Sequence, residues 1–156
     1  MNNNKNTIDG ALLDRARRYC ALAEQCESGV RQKLVVWGAG AGEADAVVSC
    51  LRSEGYLDDR RYARAYCESK ILQQGWGRQK VLYQLRLKHL PKDAIDAAMN
   101  SVGEEAYYEV LASVARRKAE ELGDSPDKRQ KLVSFLETRG FSYSEITKVI
   151  TNIPEL

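Results

Sequence analysis

The strongest constraint on how this chain folds is an internal period of 51 residues. Leu34, Leu85 and Leu136 are spaced by that period, and each stands four residues before Gly38, His89 or Gly140. Two more sets of apolar residues share the offset: Val30, Val81 and Leu132, and Val48, Met99 and Ile150. Self-similarity at a fixed period of this length is typical of stacked repeat units.

Apolar residues recur at helical spacing along nearly the whole chain, and clean period-two runs are absent. This pattern predicts nine helices of roughly three turns each, a common length in globular proteins. The predicted ranges are 11–26, 28–37, 42–53, 58–74, 77–89, 91–101, 104–122, 126–139 and 142–152.

Residues that start and stop helices stand at the expected places. Ser125 followed by Pro126 predicts an N-cap and a proline in the first turn, where the missing N–H costs nothing. Ser142 and Glu145 have the spacing of a capping box. Glycines follow amphipathic stretches where a helix ends in a left-handed residue: Gly55, Gly75, Gly123 and Gly140.

The period and the helices together predict an all-α fold of three tandem three-helix repeats forming an elongated, curved body. The predicted units are 11–53, 56–102 and 104–153. Leucine is common, so chance matches within an ordinary helical protein are the alternative. We favour the repeat because the apolar matches keep one offset through two successive units.

Motifs for catalysis and for cofactor binding fail on inspection. Gly38, Gly40 and Gly42 resemble a dinucleotide-binding turn, but Glu43 stands where its third glycine belongs, so a link between two helices is favoured. His89, the single histidine, aligns with glycines that end repeats, which favours helix termination over general base chemistry. Adjacent Asp58 and Asp59 begin a predicted helix, so capping is favoured over metal binding or acid–base chemistry.

Composition narrows the class of protein further. No run of ~20 apolar residues is present, and the polar N-terminus lacks the apolar stretch of a secretory signal, so we expect a cytoplasmic protein without a membrane partner. The four cysteines lack the paired spacings of a zinc site, and we expect reduced, packed thiols. We expect no metal, no cofactor and no catalytic residue, and a monomer.

Positive charge is concentrated in the centre of the chain. Residues 60–92 contain nine Lys or Arg and one acid, Glu68, which gives a formal charge of +8, whereas residues 103–156 contain eight bases and ten acids. A basic surface with nearby aromatic residues suits a phosphate backbone or an acidic protein groove. An ordinary solvated helix face is the alternative. The candidate binding residues are Arg60, Arg61, Arg64, Lys70, Arg78, Lys80, Tyr83, Arg86, Lys88 and Lys92.

The stretch Gly55-Tyr-Leu-Asp-Asp-Arg-Arg-Tyr-Ala-Arg-Ala-Tyr66 resembles the signature of the RecX family, bacterial regulators of the RecA recombinase. Two further segments are similar to that family: Gly75-Trp-Gly-Arg78 leading to Leu85-Arg-Leu-Lys88, and Lys33-Leu-Val-Val-Trp-Gly38. The residues that carry the motif, with a structural role, are Leu57, Asp58, Asp59, Tyr62, Ala63, Trp76, Gly77 and Leu85.

The resemblance implies tandem three-helix repeats and binding within the groove of the RecA filament on DNA, limiting ATP hydrolysis and strand exchange in recombination and repair. It also implies contact with single- or double-stranded DNA in some members. His89 departs from the glycine usual in the family, and Gly38–Gly42 is unusually glycine-rich. Two alternatives stay open: a sequence-tolerant DNA-binding protein that acts by occupying DNA, and a helical adaptor without nucleic-acid contact.

Overall fold

The computed structural model describes residues 8–154, and that part of the chain folds into nine α-helices without a β-strand. The helices are α1 Gly10–Leu22, α2 Glu27–Val36, α3 Ala41–Ser53, α4 Asp59–Glu68, α5 Arg78–Leu87, α6 Lys92–Met99, α7 Glu104–Leu122, α8 Lys128–Thr138 and α9 Tyr143–Ile150. Helix α4 continues directly into a wider π-helical segment, Ser69–Gln73. The prediction of an all-α fold is confirmed.

One predicted helix start is confirmed and another is wrong. At α9, the Ser142 hydroxyl accepts a bond from the Glu145 N–H and the Glu145 carboxylate accepts one from the Ser142 N–H, which is the predicted capping box. Ser125 does not cap α8, because that helix begins at Lys128 and the Ser125 hydroxyl instead accepts a bond from the Lys131 ammonium at 2.6 Å. A single tight turn, closed by the Lys128 N–H on the Ser125 carbonyl, separates them.

Three residues spaced by the 51-residue period end α2, α5 and α8 in the same way. Gly38, His89 and Gly140 have positive φ angles of 90°, 55° and 100°. His89 is the only non-glycine residue with positive φ between residues 8 and 154. The prediction that His89 terminates a helix is confirmed, and a histidine bears the steric cost that its two glycine counterparts avoid.

The apolar residues matched by the period are inside the protein. Six of them are completely buried, and they come from α2, α5 and α8: Val30, Leu34, Val81, Leu85, Leu132 and Leu136. Val48 and Ile150 are also buried, whereas Met99 is partly exposed and packs against the core. Each unit therefore turns equivalent positions inward, as a helical repeat requires.

Two buried clusters, instead of three, hold the repeats together. One is formed by α1 to α3 and includes Leu57, which lies beyond α3. The other is continuous through α4 to α9 and includes Cys26, which lies before α2. Helices α1 to α3 therefore share no buried cluster with α7 to α9, so the units follow one another in tandem. The unit boundaries at 11–53, 56–102 and 104–153 stay predictions.

At both junctions between units, the later unit supplies acceptors to the start of a helix in the earlier one. The N–H of Glu27, at the start of α2, donates to the Asp59 carboxylate at 3.0 Å, and the Ser28 hydroxyl donates to the Lys88 carbonyl at 2.7 Å. Asp58 accepts from the N–H groups of its own helix. The two aspartates of the motif therefore cap two different helices, α4 and α2, where the sequence alone predicts that both cap α4.

The junction between the second and third units depends on glycine. The Gly77 N–H donates to the Arg139 carbonyl at 2.8 Å, and the Gln79 N–H donates to the Gly140 carbonyl at 3.0 Å. A Cβ atom on Gly77 would overlap the backbone of Gly140. The absence of a side chain at Gly77 lets the end of α8 cap the start of α5, and the bonds satisfy donors that a helix leaves unpaired.

Candidate macromolecular interface on the middle unit

Three aromatic rings of the middle unit form a line between α4 and α5. Tyr62 and Tyr66 are one turn apart on α4, and their ring centroids are 5.9 Å apart. Trp76 lies edge-on to Tyr66 with a centroid distance of 6.4 Å. All three rings are partly exposed and pack against the core below. We call these residues the aromatic line.

Three lysines surround the aromatic line. The ammonium groups of Lys80 and Lys70 lie 4.2 and 4.7 Å from the Trp76 ring centroid, and that of Lys88 lies 5.5 Å from the Tyr66 centroid. Lys80 and Lys88 are two turns apart on one side of α5. We call Lys70, Lys80, Lys88 and the aromatic line together the lysine–aromatic surface.

The lysine–aromatic surface has positive charge that acidic side chains do not neutralise. Between residues 8 and 154, no carboxylate lies within 4 Å of the ammonium groups of Lys70, Lys80 or Lys88. Lysine over an aromatic face is attracted by the negative face of the ring, and the ammonium can still donate hydrogen bonds. Lys70 gives one such bond to the Gln74 side-chain oxygen at 3.3 Å. The surface therefore offers donors and ring faces together.

Burial raises the pKa of both tyrosines in this surface. Removal from solvent raises the pKa of Tyr66 above its usual value. The pKa of Tyr62 is also raised, first by burial and then by the neighbouring Cys26 thiol and Tyr66 phenol. An ordinary tyrosine is already neutral at physiological pH, and these shifts move ionisation of both phenols further into alkali. The lysines alone set the charge of the surface.

Four of the predicted binding residues are arginines that the structure places in ion pairs instead. The pairs are Arg60–Asp93 at 3.7 Å, Arg61–Glu24 at 2.5 Å, Arg64–Glu68 at 2.9 Å and Arg78–Glu104 at 2.7 Å. The first and third pairs are mostly exposed and contribute little to stability. The Arg60 and Arg64 guanidinium groups therefore stay accessible to a partner whose anionic groups bind them more tightly.

Arg78 and Arg61 lie at the two junctions between units. The Arg78 guanidinium lies 3.9 Å from the Tyr107 ring centroid, and the Tyr107 hydroxyl accepts a bond from the Arg78 N–H at 3.1 Å. Arg61 donates to the carbonyl of Gly55 at 3.0 Å as well as to Glu24. These contacts assign the two arginines to holding units together.

The remaining predicted binding residues are exposed and outside the lysine–aromatic surface. Tyr83 is 61% exposed on the outer face of α5, one turn before Leu87, which is 55% exposed. Arg86 is exposed on the same helix and Lys92 at the start of α6, and neither has an acidic partner in the part that the structure describes. Of the ten predicted residues, Lys70, Lys80 and Lys88 are the ones that surround the aromatic line.

The motif residues shape the unit from inside. Leu57, Ala63 and Leu85 are buried, and Ala63 and Leu85 have no exposed surface. Ala63 lies on α4, which packs against α6. Trp76 and Tyr62 are the motif residues that reach the lysine–aromatic surface.

Metal-ligating clusters and membrane-spanning helices are both absent from the described residues. Among residues 8–154, no group of three or more His, Cys, Asp or Glu side chains is arranged to hold a metal ion. The carboxylates of Asp58 and Asp59 are both occupied by backbone N–H groups. All four cysteines are free thiols, and Cys50 alone is not fully buried. None of the helices described has the length and hydropathy to cross a membrane.

The sequence predictions do not include two features of the structure, one in the lysine–aromatic surface and one outside it. The sequence gives Tyr62 a structural role in the motif and does not single out Tyr66 as a binding residue, but both rings reach the lysine–aromatic surface. The third unit also carries basic residues without an acidic partner within the described chain: Arg116, Arg117, Lys128 and Arg129. Acidic residues at 104–109 offset these positive charges in the net charge of the third unit. A charge count over shorter windows of the sequence distinguishes the two groups.

Comparison with known proteins gives consistent matches. Residues 58–99 match the family model described as RecX, second three-helix domain, and residues 104–150 match RecX, third three-helix domain. The chain is 30% identical to the regulatory protein RecX of Chlorobaculum tepidum, over 88% of this chain and 85% of that protein. It is 28% identical to RecX of Pectobacterium atrosepticum, over 89% and 86%.

Solved structures show the same fold. A crystal structure of regulatory protein RecX superimposes with a TM-score of 0.82 at 23% identity, covering 90% of this chain and 72% of that one. The structure of RecX from Lactobacillus salivarius superimposes with a TM-score of 0.79 at 19% identity, covering 90% of this chain and 93% of that one. At these identities the likeness establishes the tandem repeat architecture.

Proposed function

Since this chain belongs to the RecX family of regulatory proteins, we propose that it binds the RecA filament on DNA in the cytoplasm and inhibits ATP hydrolysis and strand exchange. The observation that carries the proposal is the lysine–aromatic surface. Its three ammonium groups have no acidic partner among residues 8–154 and lie around partly exposed rings. Such a surface attracts an anionic partner of macromolecular size.

The mechanism is steric and needs no bond-breaking by the regulator. Three units in tandem reach along a filament further than one globular domain does, so that different units contact neighbouring RecA protomers. Binding that favours one arrangement of the protomers opposes the relative motion on which ATP turnover depends. Inhibition then follows from differential affinity for one state of the filament, and the protein acts as a regulator without catalytic residues.

The test compares purified protein with two charge-neutralised variants on RecA filaments assembled on single-stranded DNA. The variant K70Q/K80Q/K88Q removes the charge of the lysine–aromatic surface and keeps most of each side chain's length. The control R116Q/R117Q/R129Q removes three exposed charges from the third unit. We expect the first variant to lose inhibition of ATPase and strand exchange and the control to keep it. Unchanged RecA activity at saturating wild-type protein would refute the proposed function.

Arg78 is unsuitable for this test. Its side chain contacts Tyr107 and Glu104 across the junction of the second and third units, so its removal disturbs the fold as well as the charge. Lys70, Lys80 and Lys88 make no such ion pair. Retained filament binding by the K70Q/K80Q/K88Q variant would favour a helical adaptor that does not use this surface.

A second candidate function, occupation of DNA without RecA recognition, is favoured by the same rings. Aromatic side chains beside cations are the typical platform for single-stranded nucleic acid, where each base stacks on a ring. Three lysines that each neutralise a phosphate give a salt slope of roughly −2 for single strands, from about −0.7 per contact. DNA occupation alone also predicts equal interference with an unrelated single-strand-binding protein, whereas RecA recognition predicts selectivity for the filament.

A further inference from the structure

The first unit has three cations that none of its acids neutralises. All seven acidic residues between positions 9 and 54 accept hydrogen bonds: Asp9, Asp14, Glu24, Glu27, Glu43, Asp45 and Glu54. Arg17, Arg31 and Arg52 take part in ion pairs with them. Arg15, Arg18 and Lys33 have no carboxylate within 4 Å in the described chain.

These three cations lie together beside two aromatic rings. The Arg15 guanidinium lies 4.2 Å from the Trp37 ring centroid, and the Lys33 ammonium lies 5.8 Å from the Tyr19 centroid. Tyr19 and Trp37 meet edge to face at 5.7 Å, which joins α1 to the end of α2. Arg18 is one turn after Arg15 on α1 and shares its side of the helix.

Two of the most exposed aliphatic side chains in the described chain border the same group. Leu22 is 86% exposed and lies one turn beyond Tyr19 and Arg18 on α1. Val36 is 77% exposed and lies one turn beyond Lys33 on α2. We call Arg15, Arg18, Tyr19, Leu22, Lys33, Val36 and Trp37 together the first-unit surface.

We propose that the first-unit surface is a docking site for an acidic protein segment that also carries aliphatic side chains. Carboxylates of such a segment would pair with Arg15, Arg18 and Lys33, and its aliphatic residues would cover Leu22 and Val36. Charge complementarity selects the acidic component. Exposed aliphatic groups gain from burial against aliphatic partners, which a phosphate backbone lacks.

This site goes beyond the function proposed above and does not depend on it. It lies on α1 and α2, outside residues 58–99 and 104–150 that match the family models. It also differs in chemistry from the lysine–aromatic surface, where the exposed side chains are lysines and rings. A result on one surface therefore leaves the other proposal standing.

The probe is a fluorescein-labelled peptide built of alternating Glu-Glu and Leu-Leu pairs. The assay uses the full chain with W76F, so that Trp37 is the sole tryptophan and reports on the first-unit surface. We expect saturable binding by anisotropy together with a shift in Trp37 emission. The substitutions R15E/R18E/K33E should weaken binding at least about tenfold, because close charge pairs become repulsive.

Two controls keep the outcome interpretable. R116E/R117E/R129E reverses three exposed charges of the third unit and should leave peptide affinity unchanged, which separates local pairing from net charge. L22N/V36N keeps every charge and should weaken binding several-fold if the aliphatic side chains take part. Circular dichroism of each variant confirms that the helices are retained.

Each alternative result is decisive. Equal peptide affinity for the R15E/R18E/K33E variant and the parent chain overturns the docking site. If the L22N/V36N variant binds the peptide with unchanged affinity, the surface attracts anions non-specifically, and the proposal is overturned as well. The proposal is also wrong if oligo-dT, or vesicles of anionic lipid, bind through Arg15, Arg18 and Lys33 more tightly than the peptide does.

Discussion

Replacing Gly77 by alanine tests whether close backbone contact joins the second and third units. The new Cβ would overlap the backbone of Gly140, so one of the two chains must move. Overpacking of this kind costs about 1–3 kcal/mol. The same movement strains the bonds from Gly77 N–H to the Arg139 carbonyl and from Gln79 N–H to the Gly140 carbonyl, each worth about 1 kcal/mol.

We expect a loss of about 3 kcal/mol in the free energy of unfolding for G77A, a large share of the 5–15 kcal/mol typical of a folded chain. At about 3 °C per kcal/mol for a protein of this size, Tm falls by about 9 °C. Urea titration and thermal melting followed by circular dichroism measure both quantities. The emission of Trp76, next to the substitution, should change in parallel.

Gly10 provides the matched control for this prediction. It starts α1 with an ordinary φ, and a Cβ placed there meets nothing within 4 Å. G10A should therefore leave Tm unchanged or raise it slightly, since alanine favours the helix. An identical Tm for G77A and the wild type would refute the reasoning that this junction requires a bare backbone.

The helix ends and the partly buried Tyr66 phenol give three further predictions. H89G should raise stability by roughly 0.5–1 kcal/mol, because glycine relieves the positive φ that His89 adopts; a lower urea midpoint would contradict it. D59A should lower stability by about 1 kcal/mol by removing the acceptor for the Glu27 N–H, and hydrogen exchange of that amide should accelerate. Ultraviolet titration should show Tyr66 ionising above pH 10, because burial raises its pKa. A folded-state pKa above the unfolded value gives stability that is present below pH ~10 and lost as pH rises through the folded pKa, so the free energy of unfolding should fall in alkali. Tyr66 ionising at the usual pH would contradict this prediction.

Local signals in the sequence predicted the helices well because they act over a few residues. The capping box at Ser142 and the left-handed ends at Gly55 and Gly140 depend on neighbours within one turn. The predicted N-cap at Ser125 was wrong because an equally local structure, a tight turn, forms at Ser125 and Pro126 before α8. The Ser125 hydroxyl accepts a hydrogen bond from the Lys131 side chain instead of capping the helix.

The sequence by itself determined the all-α class, the repeat of 51 residues and the inward positions of Leu34, Leu85 and Leu136, since a periodic apolar pattern specifies which side of each helix is buried. Tertiary structure alone decided which cations are available to a partner. A charge count does not distinguish Arg61 and Arg78 from Lys80 and Lys88. The two arginines form ion pairs with Glu24 and Glu104, which are 37 and 26 residues away in the sequence. Pairing across such separations depends on how the helices pack, and no spacing along the chain encodes it.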